Sequence, residues 1–473
     1  MKKTFLSFQL VLLMMVLLMT SCSDTPDYVN MIPDNAVCVV KIDVKQISEK
    51  LNENGDVLSG KLEQLLAGDA ATPEQREKLK AILDDPAEVG IDFRQPLLVS
   101  VSLKNGEPEP MMLAVVHDAD KLTELLKVMQ IDEKEIKSLN GITYACHDGN
   151  VVAYSDDVLC VKSMNDDDEA TVAAEMAKLL GGETKYGFGE SEYGKKLFAT
   201  EGLIQCLVTG EAYSMLQERL NVKPMYPKGL DMKDIAAVSN LMADKGKATL
   251  QMDYVVKSDK WEEQMAKTKE VMKTIDDKFI DYVPCKGLMM MGNFNGAKIA
   301  ELIKENGIDN VPEKAQIMEV LKYLSIFNGN VAFGLDGISN SMLPKMSFYS
   351  ETSDASLAEL AKSTLGKSAE VGYKDGVTYL VMTEGSKPFE KVEGGPDKAV
   401  LKNKYFYGYV DFQLIGMLMA ISGKADASQL QAATQFIKSF ELSLYDNLRY
   451  ELVLNMQDQS KNPLAAIAEI LTK

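Results

Sequence analysis

Apolar and polar positions alternate along this chain in two rhythms, one typical of strands and one of helices. Runs with every second residue apolar predict β-strands, because successive side chains of a strand point to opposite faces. Apolar residues three or four apart predict amphipathic helices. The predicted strands include Leu97–Leu103, Met111–Val116, Ile142–Cys146, Val151–Tyr154, Val158–Val161 and Ala248–Val256. The predicted helices include Val44–Asn52, Pro73–Leu83, Lys121–Met129, Ala170–Leu180, Trp261–Thr274 and Ala297–Lys304.

Turns between the predicted strands indicate the fold class. The segments HDGN and YKDGV carry the Asp-Gly signal of a tight β-hairpin. Hairpins outnumber strand–helix–strand crossovers, so we expect mainly antiparallel sheet with helices packed on one face. The pattern therefore predicts the α+β class.

The order of elements repeats along the chain. The segment PDNAVCVVKIDVKQISEKLNENG (33–55) matches PCKGLMMMGNFNGAKIAELIKENG (284–307) in its proline, its apolar run and its amphipathic helix. Five further matches follow in the same order: FRQPLLVSVS with FNGNVAFGLD, PMMLAVVHDADKLTELL with PKMSFYSETSDASLAEL, NGITY with DGVTY, IQCLVTGEAYSM with FYGYVDFQLIGM, and DKGKATLQMDYVVKSDK with DNLRYELVLNMQDQSKN. Ordered matches of this kind predict a duplication, with two related halves at 28–278 and 279–473.

The start of the chain has a different pattern. Lys2 and Lys3 precede an unbroken apolar run from Leu10 to Met19, and the next charge is Asp24. A membrane-spanning helix needs about 20 apolar residues, and no Lys or Arg follows this run as a stop signal. Residues 1–21 are therefore predicted to be a cleavable secretory signal.

The residues Met19-Thr20-Ser21-Cys22 resemble the bacterial lipobox, with Met19 in place of the usual leucine. This resemblance implies that the Cys22 thiol is diacylated, that the signal is cut before it, and that the new amine is acylated. Two or more acyl chains anchor a protein stably, so residues 22–27 are expected to be a lipidated tether and the membrane a partner. Ser23 rather than Asp follows Cys22, which by analogy with enteric bacteria favours the outer membrane. The pattern leaves open whether the protein faces the periplasm or the cell exterior.

Charge and cysteine content narrow the partners and the chemistry. The net charge of −19 repels nucleic-acid phosphates, so no nucleic acid is expected to bind. Five cysteines besides Cys22 cannot all pair, and each lies in an apolar stretch that favours a buried thiol. They are Cys38, Cys146, Cys160, Cys206 and Cys285. Cys146 and Cys160 would lie on the outer strands of a three-strand meander, too far apart for a disulfide.

The segment YVNMIPDNAVCVVKIDVKQISEKL (28–51) is similar to the start of a Bacteroidota lipoprotein family, the domain of unknown function number 4836. The matching features are Tyr28, Pro33, Ala36, the apolar run to Ile42, Asp43 and the helix after it. FNGNVAFGLDG (327–337) resembles a second segment of that family. The resemblance implies an acylated, exported α+β protein and brings no active-site residue with it.

Segments that could carry chemistry each have a structural interpretation. Gly189–Lys196 fits G-x-x-x-x-G-K, but Lys196 stands where Mg²⁺ needs Ser or Thr, so we expect a flexible insertion loop. The run NDDDE (165–169) lacks the spacing of a calcium loop and precedes a helix, which it is expected to cap. His117 and His147, the only histidines, form neither a triad nor a zinc motif.

No catalytic, cofactor or metal site is therefore predicted, and the function stays open between classes. Trp261 is the only tryptophan, which disfavours a sugar-cleaving cleft, and the methionines, such as those at 289–291, are expected to fill the core. The first hypothesis is an envelope protein with a non-enzymatic binding or structural role. The alternative is a carboxylate-based hydrolase of the envelope, whose paired acids must converge in space. A periplasmic chaperone with an exposed apolar groove is a third.

Replacing Cys22 tests the anchor. In cells fed radiolabelled palmitate, we expect the wild type and the control Cys285→Ala to take up label and Cys22→Ala to take up none, because Cys22 is the only acyl acceptor that the resemblance implies. The measurement is autoradiography of the immunoprecipitated chain. Label retained in Cys22→Ala, or a wild-type chain that keeps residues 1–21, would contradict the interpretation.

Overall fold

The computed structural model describes most of the chain between residues 26 and 464. The described residues are 26–52, 89–128, 131–147, 149–165, 167–219, 231–258, 260–305, 314–338, 344–382, 386–392, 397–422 and 434–464. Cys22 and the predicted helix Pro73–Leu83 lie outside them. Within these ranges the protein is α+β and consists mainly of antiparallel sheet.

Every predicted strand is present. The strands are β1 (Cys38–Ile42), β2 (Leu97–Lys104), β3 (Glu107–Val115), β4 (Lys137–Leu139), β5 (Ile142–His147), β6 (Asn150–Tyr154), β7 (Val158–Ser163), β8 (Ile204–Thr209), β9 (Ile235–Asp244), β10 (Lys247–Val256), β11 (Leu288–Asn295), β12 (Phe327–Ile338), β13 (Pro344–Thr352), β14 (Glu370–Lys374), β15 (Val377–Val381), β16 (Lys404–Asp411), β17 (Ile437–Tyr445) and β18 (Tyr450–Met456). β3 begins at Glu107 rather than at the predicted Met111, because its ladder with β2 continues to the pair Lys104 and Glu107.

The helices follow the predicted periodicity closely. They are α1 (Val44–Asn52), α2 (Ala119–Val128), α3 (Glu169–Leu180), α4 (Glu192–Phe198), α5 (Gly210–Arg219), α6 (Lys260–Val271), α7 (Gly296–Glu305), α8 (Lys314–Leu324), α9 (Ser356–Leu365) and α10 (Phe412–Ser422). α6 ends at Val271 rather than at Thr274, because Met272 forms a β-bridge with Phe294. In the part of the chain that the structure describes, no helix has the length and apolar character needed to cross a bilayer.

Contacts within the chain divide it into two compact units. Unit 1 falls within Met1–Lys45, Thr72–Glu201 and Gln205–Leu207, and unit 2 within Gln46–Ala71, Gly202–Ile204 and Val208–Lys473. The predicted halves instead divide between residues 278 and 279, because they are defined by repetition of sequence. The two divisions rest on different properties, contacts between residues and repetition of sequence. The contact-based units therefore do not test the predicted halves, which stay a prediction.

Unit 1 is built on antiparallel pairs. β2 pairs with β1 and with β3, and β3 pairs in turn with β7. β5, β6 and β7 form the predicted meander, in which β6 separates Cys146 from Cys160. The buried residues of α2, with Ala145 and Tyr154 from the meander, form a core, and α3 packs against the same three strands.

Unit 2 contains two connected series of antiparallel pairs. β12 pairs with β11 and β13, and β15 pairs with β13 and β14. On the other side of β11, the order of pairing is β16, β17, β18, β10 and β9. The core contains Phe279, whose ring stacks 5.8 Å from that of Tyr349.

Two x-Gly hairpins occur in the matched segments NGITY and DGVTY, and the second is the tight turn that YKDGV predicts. The predicted HDGN turn falls between β5 and β6, which pair at His147 and Asn150, but Asp148 lies outside the described residues. Asn140 and Gly141 join β4 to β5 with φ values of 48° and 84°, and Asp375 and Gly376 join β14 to β15 with 52° and 78°. A two-residue turn with positive φ at both positions is the type whose twist matches the flanking strands. The pair x-Gly therefore determines the register of both hairpins.

The three methionines of β11 provide a matched pair for a stability test. Met291 is 1% exposed in the core of unit 2, whereas Met290 points the other way and is 42% exposed. We expect Met291→Ala to lower the free energy of unfolding by about 2–5 kcal/mol, because it leaves a cavity. The control Met290→Ala should cost less than about 1 kcal/mol. Guanidinium unfolding of both variants is the measurement, and equal losses would contradict the described register.

Candidate functional site

The predicted phosphate-loop look-alike is an ordered helix start rather than the expected flexible loop. Ser191 caps α4 by accepting a hydrogen bond from the backbone N–H of Gly194 at 3.0 Å. The N–H of Gly189 donates to the side chain of Asn30 at 3.0 Å. These backbone groups are already occupied by protein partners, so they cannot surround a phosphate.

The acidic run 165–169 caps a helix, as predicted. Asp168 precedes α3 and accepts a hydrogen bond from the backbone N–H of Thr171 at 2.8 Å. This hydrogen bond lowers the pKa of Asp168. Asp167 is paired instead with Lys104, at 2.5 Å.

The histidines do not mark a site in the described part of the chain. His117 is exposed and follows β3, where the next residue, Asp118, caps α2 through the N–H of Lys121. His147 ends β5 and is half-buried. Among the residues that the structure describes, no three His, Cys, Asp or Glu side chains gather closely enough to hold a metal ion.

A cavity of about 530 Å³ in unit 1 is the larger of two that stand out among the described residues. It lies between the loop Pro33–Asn35, the end of β2, the start of β3 and the last residues of β7. One face of α3 and the segment after that helix, which carries Thr184 and Tyr186, complete the wall. We call this cavity the corner pocket. Its volume is in the range of small-molecule sites.

A backbone tether holds one wall of the corner pocket. The N–H of Tyr186 donates to the carbonyl of Asn30 at 2.8 Å. Asn30 belongs to a single 3₁₀ turn, Asp27–Met31, in which Tyr28 and Val29 are buried. The Tyr28 hydroxyl donates to the carbonyl of Pro96 at 2.6 Å, and burial raises its pKa.

An ion-pair network lines the pocket floor. Lys162, on β7, lies 2.7 Å from Glu175 and 3.4 Å from Glu109. The side chains of Lys162 and Glu109 are 14% and 15% exposed. Burial alone would lower the pKa of Lys162, but the hydrogen bond that its ammonium donates to Glu175 and the charges of both carboxylates outweigh burial and raise it. The two carboxylates thus share one cation.

The mouth of the pocket carries two charged groups and one aromatic ring that do not belong to this ion-pair network. Asp34 and Lys178 line the cavity, are exposed, and make no ion pair with another described residue. Tyr186 is 43% exposed. The mouth therefore offers one anion, one cation and one ring to a ligand.

The pocket residues were not predicted from the sequence, although β2 carried a weak signal of them. Ser100 and Ser102 occupy buried positions of an alternating strand, where apolar residues are usual. Ser102 lines the pocket, and the hydroxyl of Ser100 has no hydrogen-bond partner in the described protein. Of these two residues, only Ser102 marks the point where the buried face of β2 reaches the pocket.

The family model for the domain of unknown function DUF4836 matches residues 28–379. The chain belongs to this family. The matched range contains the whole wall of the corner pocket, so the pocket lies within the DUF4836 region rather than in an added segment.

Structural comparison adds no functional argument. Three crystal forms of TP0453 resemble the chain at 12–14% identity, with TM-scores of 0.27–0.29. The matches cover 47–52% of this chain and 79–87% of TP0453. No curated protein sequence matches the chain.

Removing the shared cation should destabilise this DUF4836 protein. We expect Lys162→Met to cost about 2 kcal/mol near neutral pH, because it removes the ion-pair partner of Glu175 and leaves Glu109 with only the more distant Lys104, at 4.0 Å, in a partly buried site. Since the folded-state pKa of Lys162 is raised, its contribution is complete below the unfolded pKa of about 10.4 and falls as pH rises through the folded value. The measurement is urea unfolding at pH 7 and at alkaline pH.

Lys178→Met is the matched control. Lys178 lines the same cavity without an ion pair to a described residue, so its removal should change the free energy of unfolding by less than about 0.5 kcal/mol. Equal losses in the two variants would contradict the network described above.

Proposed function

We propose that this protein is an exported, lipid-anchored envelope protein of the outer membrane with a non-enzymatic binding role, and that the corner pocket is its ligand site. The predicted signal at residues 1–21 and Cys22 support the location. The charged and aromatic groups at the mouth of the corner pocket support binding.

The shared cation favours binding over hydrolysis. A carboxylate-based hydrolase needs one carboxyl group that holds a proton near neutral pH and a second that stays ionised. Glu109 and Glu175 instead lie within 3.4 Å of the same ammonium, so both are engaged in one structural ion-pair network rather than set apart as an acid and a base. This shared ion pair is the single observation that favours a binding role over hydrolysis. A carboxylate-based hydrolase of the envelope is the alternative function.

The unused groups at the mouth suggest the ligand. Lys178 can pair with a carboxylate and Asp34 with an ammonium, while the ring of Tyr186 can pack against an apolar or planar group. A short peptide with free termini carries both charges and planar amides. We therefore propose a short peptide as the ligand class.

We also propose that the chain consists of two related halves. The burial pattern before the matched prolines supports this. The residues that precede Pro33 by five, four and one positions are buried, and so are those that precede Pro284 by the same intervals. They are Tyr28, Val29 and Ile32, and Phe279, Ile280 and Val283.

Strand pairing supports the duplication as well. β2 lies between β1 and β3, as β12 lies between β11 and β13, and all four pairs are antiparallel. β3 then pairs with β7, as β13 pairs with β15. The tether also recurs. The N–H of Val392 donates to the carbonyl of Asp281 at 2.8 Å, and Asp281 precedes Pro284 by the same interval as Asn30 precedes Pro33.

A smaller cavity in unit 2 has the same position in the proposed repeat. Its volume is about 260 Å³, and its wall includes Pro284, Asp336 and Lys345. By the sequence matches, these positions correspond to Pro33, Ser102 and Met111 of the corner pocket. The recurrence supports a duplicated unit whose pocket is part of its construction.

Binding of a defined peptide tests the function. We expect trialanine with free termini to raise the melting temperature of the wild type in a saturable way, because ligand that binds only the folded state stabilises it. Trialanine with an acetylated N-terminus and an amidated C-terminus should have a weaker effect. An unchanged melting temperature at every concentration of both peptides would contradict the peptide proposal.

Two variants locate the binding. Lys178→Met should abolish the shift because it removes the unpaired cation. The control Lys185→Met alters an exposed lysine on the neighbouring segment that does not line the pocket, and it should behave as the wild type. If trialanine still raises the melting temperature of Lys178→Met, the peptide binds at a site other than the corner pocket.

A further inference from the structure

Two half-buried cysteines meet on neighbouring strands of unit 1. Cys38 is the first residue of β1, and Cys206 lies on β8, which pairs with β1. The two side chains are in hydrogen-bonding contact, and neither forms a disulfide.

The proposed second half of the chain indicates which residues of β1 and β8 lie opposite each other, because β11 and β16 are the corresponding strands there. Met290 on β11 lies directly opposite Gly408 on β16. Cys38 and Met290 stand at the same interval before the helices that follow them, α1 and α7. Cys206 and Gly408 likewise stand at one interval before α5 and α10. This correspondence rests on the proposed duplication and puts Cys38 directly opposite Cys206.

Directly opposed residues suit a disulfide in their spacing. In antiparallel strands their Cα atoms lie about 4.5–5.5 Å apart, and disulfides span roughly 4.4–6.8 Å. The bond therefore needs rotation of the two side chains and little movement of the backbone.

We propose that Cys38 and Cys206 form an intramolecular disulfide when the chain meets a disulfide-bearing oxidant. One thiolate attacks a sulfur of the oxidant's disulfide and gives a mixed disulfide, with release of the first oxidant thiol. The second cysteine displaces the remaining oxidant sulfur. Two electrons pass from the cysteines to the oxidant, one S–S bond is exchanged for another, and the two protons of the cysteines end on the oxidant's thiols.

Cys146 and Cys160 do not compete for these partners. Cys160 is fully buried on β7, and burial raises its pKa to about 12. The sulfur of Cys146 contacts that of Met164 at 3.6 Å. The contact with Cys206, followed by burial, raises the pKa of Cys38 as well. Because the thiolate is the reactive form, the exchange is expected to be slow and needs a long incubation.

The bond would fasten the first strand of unit 1. It closes a ring from Cys38 to Cys206, and a cross-link between residues so far apart in sequence restricts the unfolded chain strongly. β1 is the first strand after the turn that carries Asn30 and is separated from it by residues 32–37, so the same bond would restrict the segment that carries the tether of the corner pocket.

Mass spectrometry of the purified mature protein tests the proposal without reliance on export. The reduced protein is incubated overnight in a buffer of oxidised and reduced glutathione, quenched in acid, unfolded with N-ethylmaleimide and digested. We expect the peptide that contains Cys38 to be linked to the one that contains Cys206, and the other cysteines to be alkylated. Cys38 and Cys206 alkylated, or each joined to glutathione, would overturn the proposal.

Two variants and a melting curve complete the test. Cys206→Ser should leave Cys38 unlinked, whereas the control Cys285→Ser should keep the cross-link. Dithiothreitol should lower the melting temperature of the oxidised wild type and leave that of Cys206→Ser unchanged. A drop of equal size in both would show that the reductant acts elsewhere and would count against the bond.

Discussion

One wall of the corner pocket depends on one backbone acceptor, the carbonyl of Asn30, to which the N–H groups of Tyr186 and Gly187 donate at 2.8 and 3.3 Å. The donors belong to the segment after α3 and the acceptor to the turn before β1, so these bonds join parts of the chain that are far apart in sequence. The buried side chains of the turn keep the acceptor fixed. This pairing therefore closes the wall of the corner pocket.

Ion pairs explain how charged side chains can be partly buried in the wall of this pocket. Lys162 is held among carboxylates that offset the cost of its burial, and Lys104 is held by Asp167. Breaking one member of such a set leaves an uncompensated charge. The network thus fixes β3, β7 and α3 relative to one another, and the groups at the mouth stay available for a ligand.

Local pattern predicted the strands, most helix limits and the tight turn at Asp375 and Gly376, because those depend on neighbours in sequence. The corner pocket depends on Lys104, Glu109, Lys162 and Glu175, which come from different elements and carry no local signal. The segment Gly189–Lys196 shows the same limit. It was expected to be a flexible loop, but Asn30, 159 residues away, accepts a hydrogen bond from Gly189. No pattern within the segment reveals that partner.

Amide hydrogen exchange at Tyr186 and Val392 measures how firmly the tether and its counterpart in the proposed second half are held, because these two N–H groups form them. Exchange is followed in the native protein by digestion and mass spectrometry at single-residue resolution. We expect both amides to exchange far more slowly than solvent-exposed loop amides, as hydrogen-bonded amides in folded structure do. Exchange at either position as fast as in an unprotected loop would contradict this expectation.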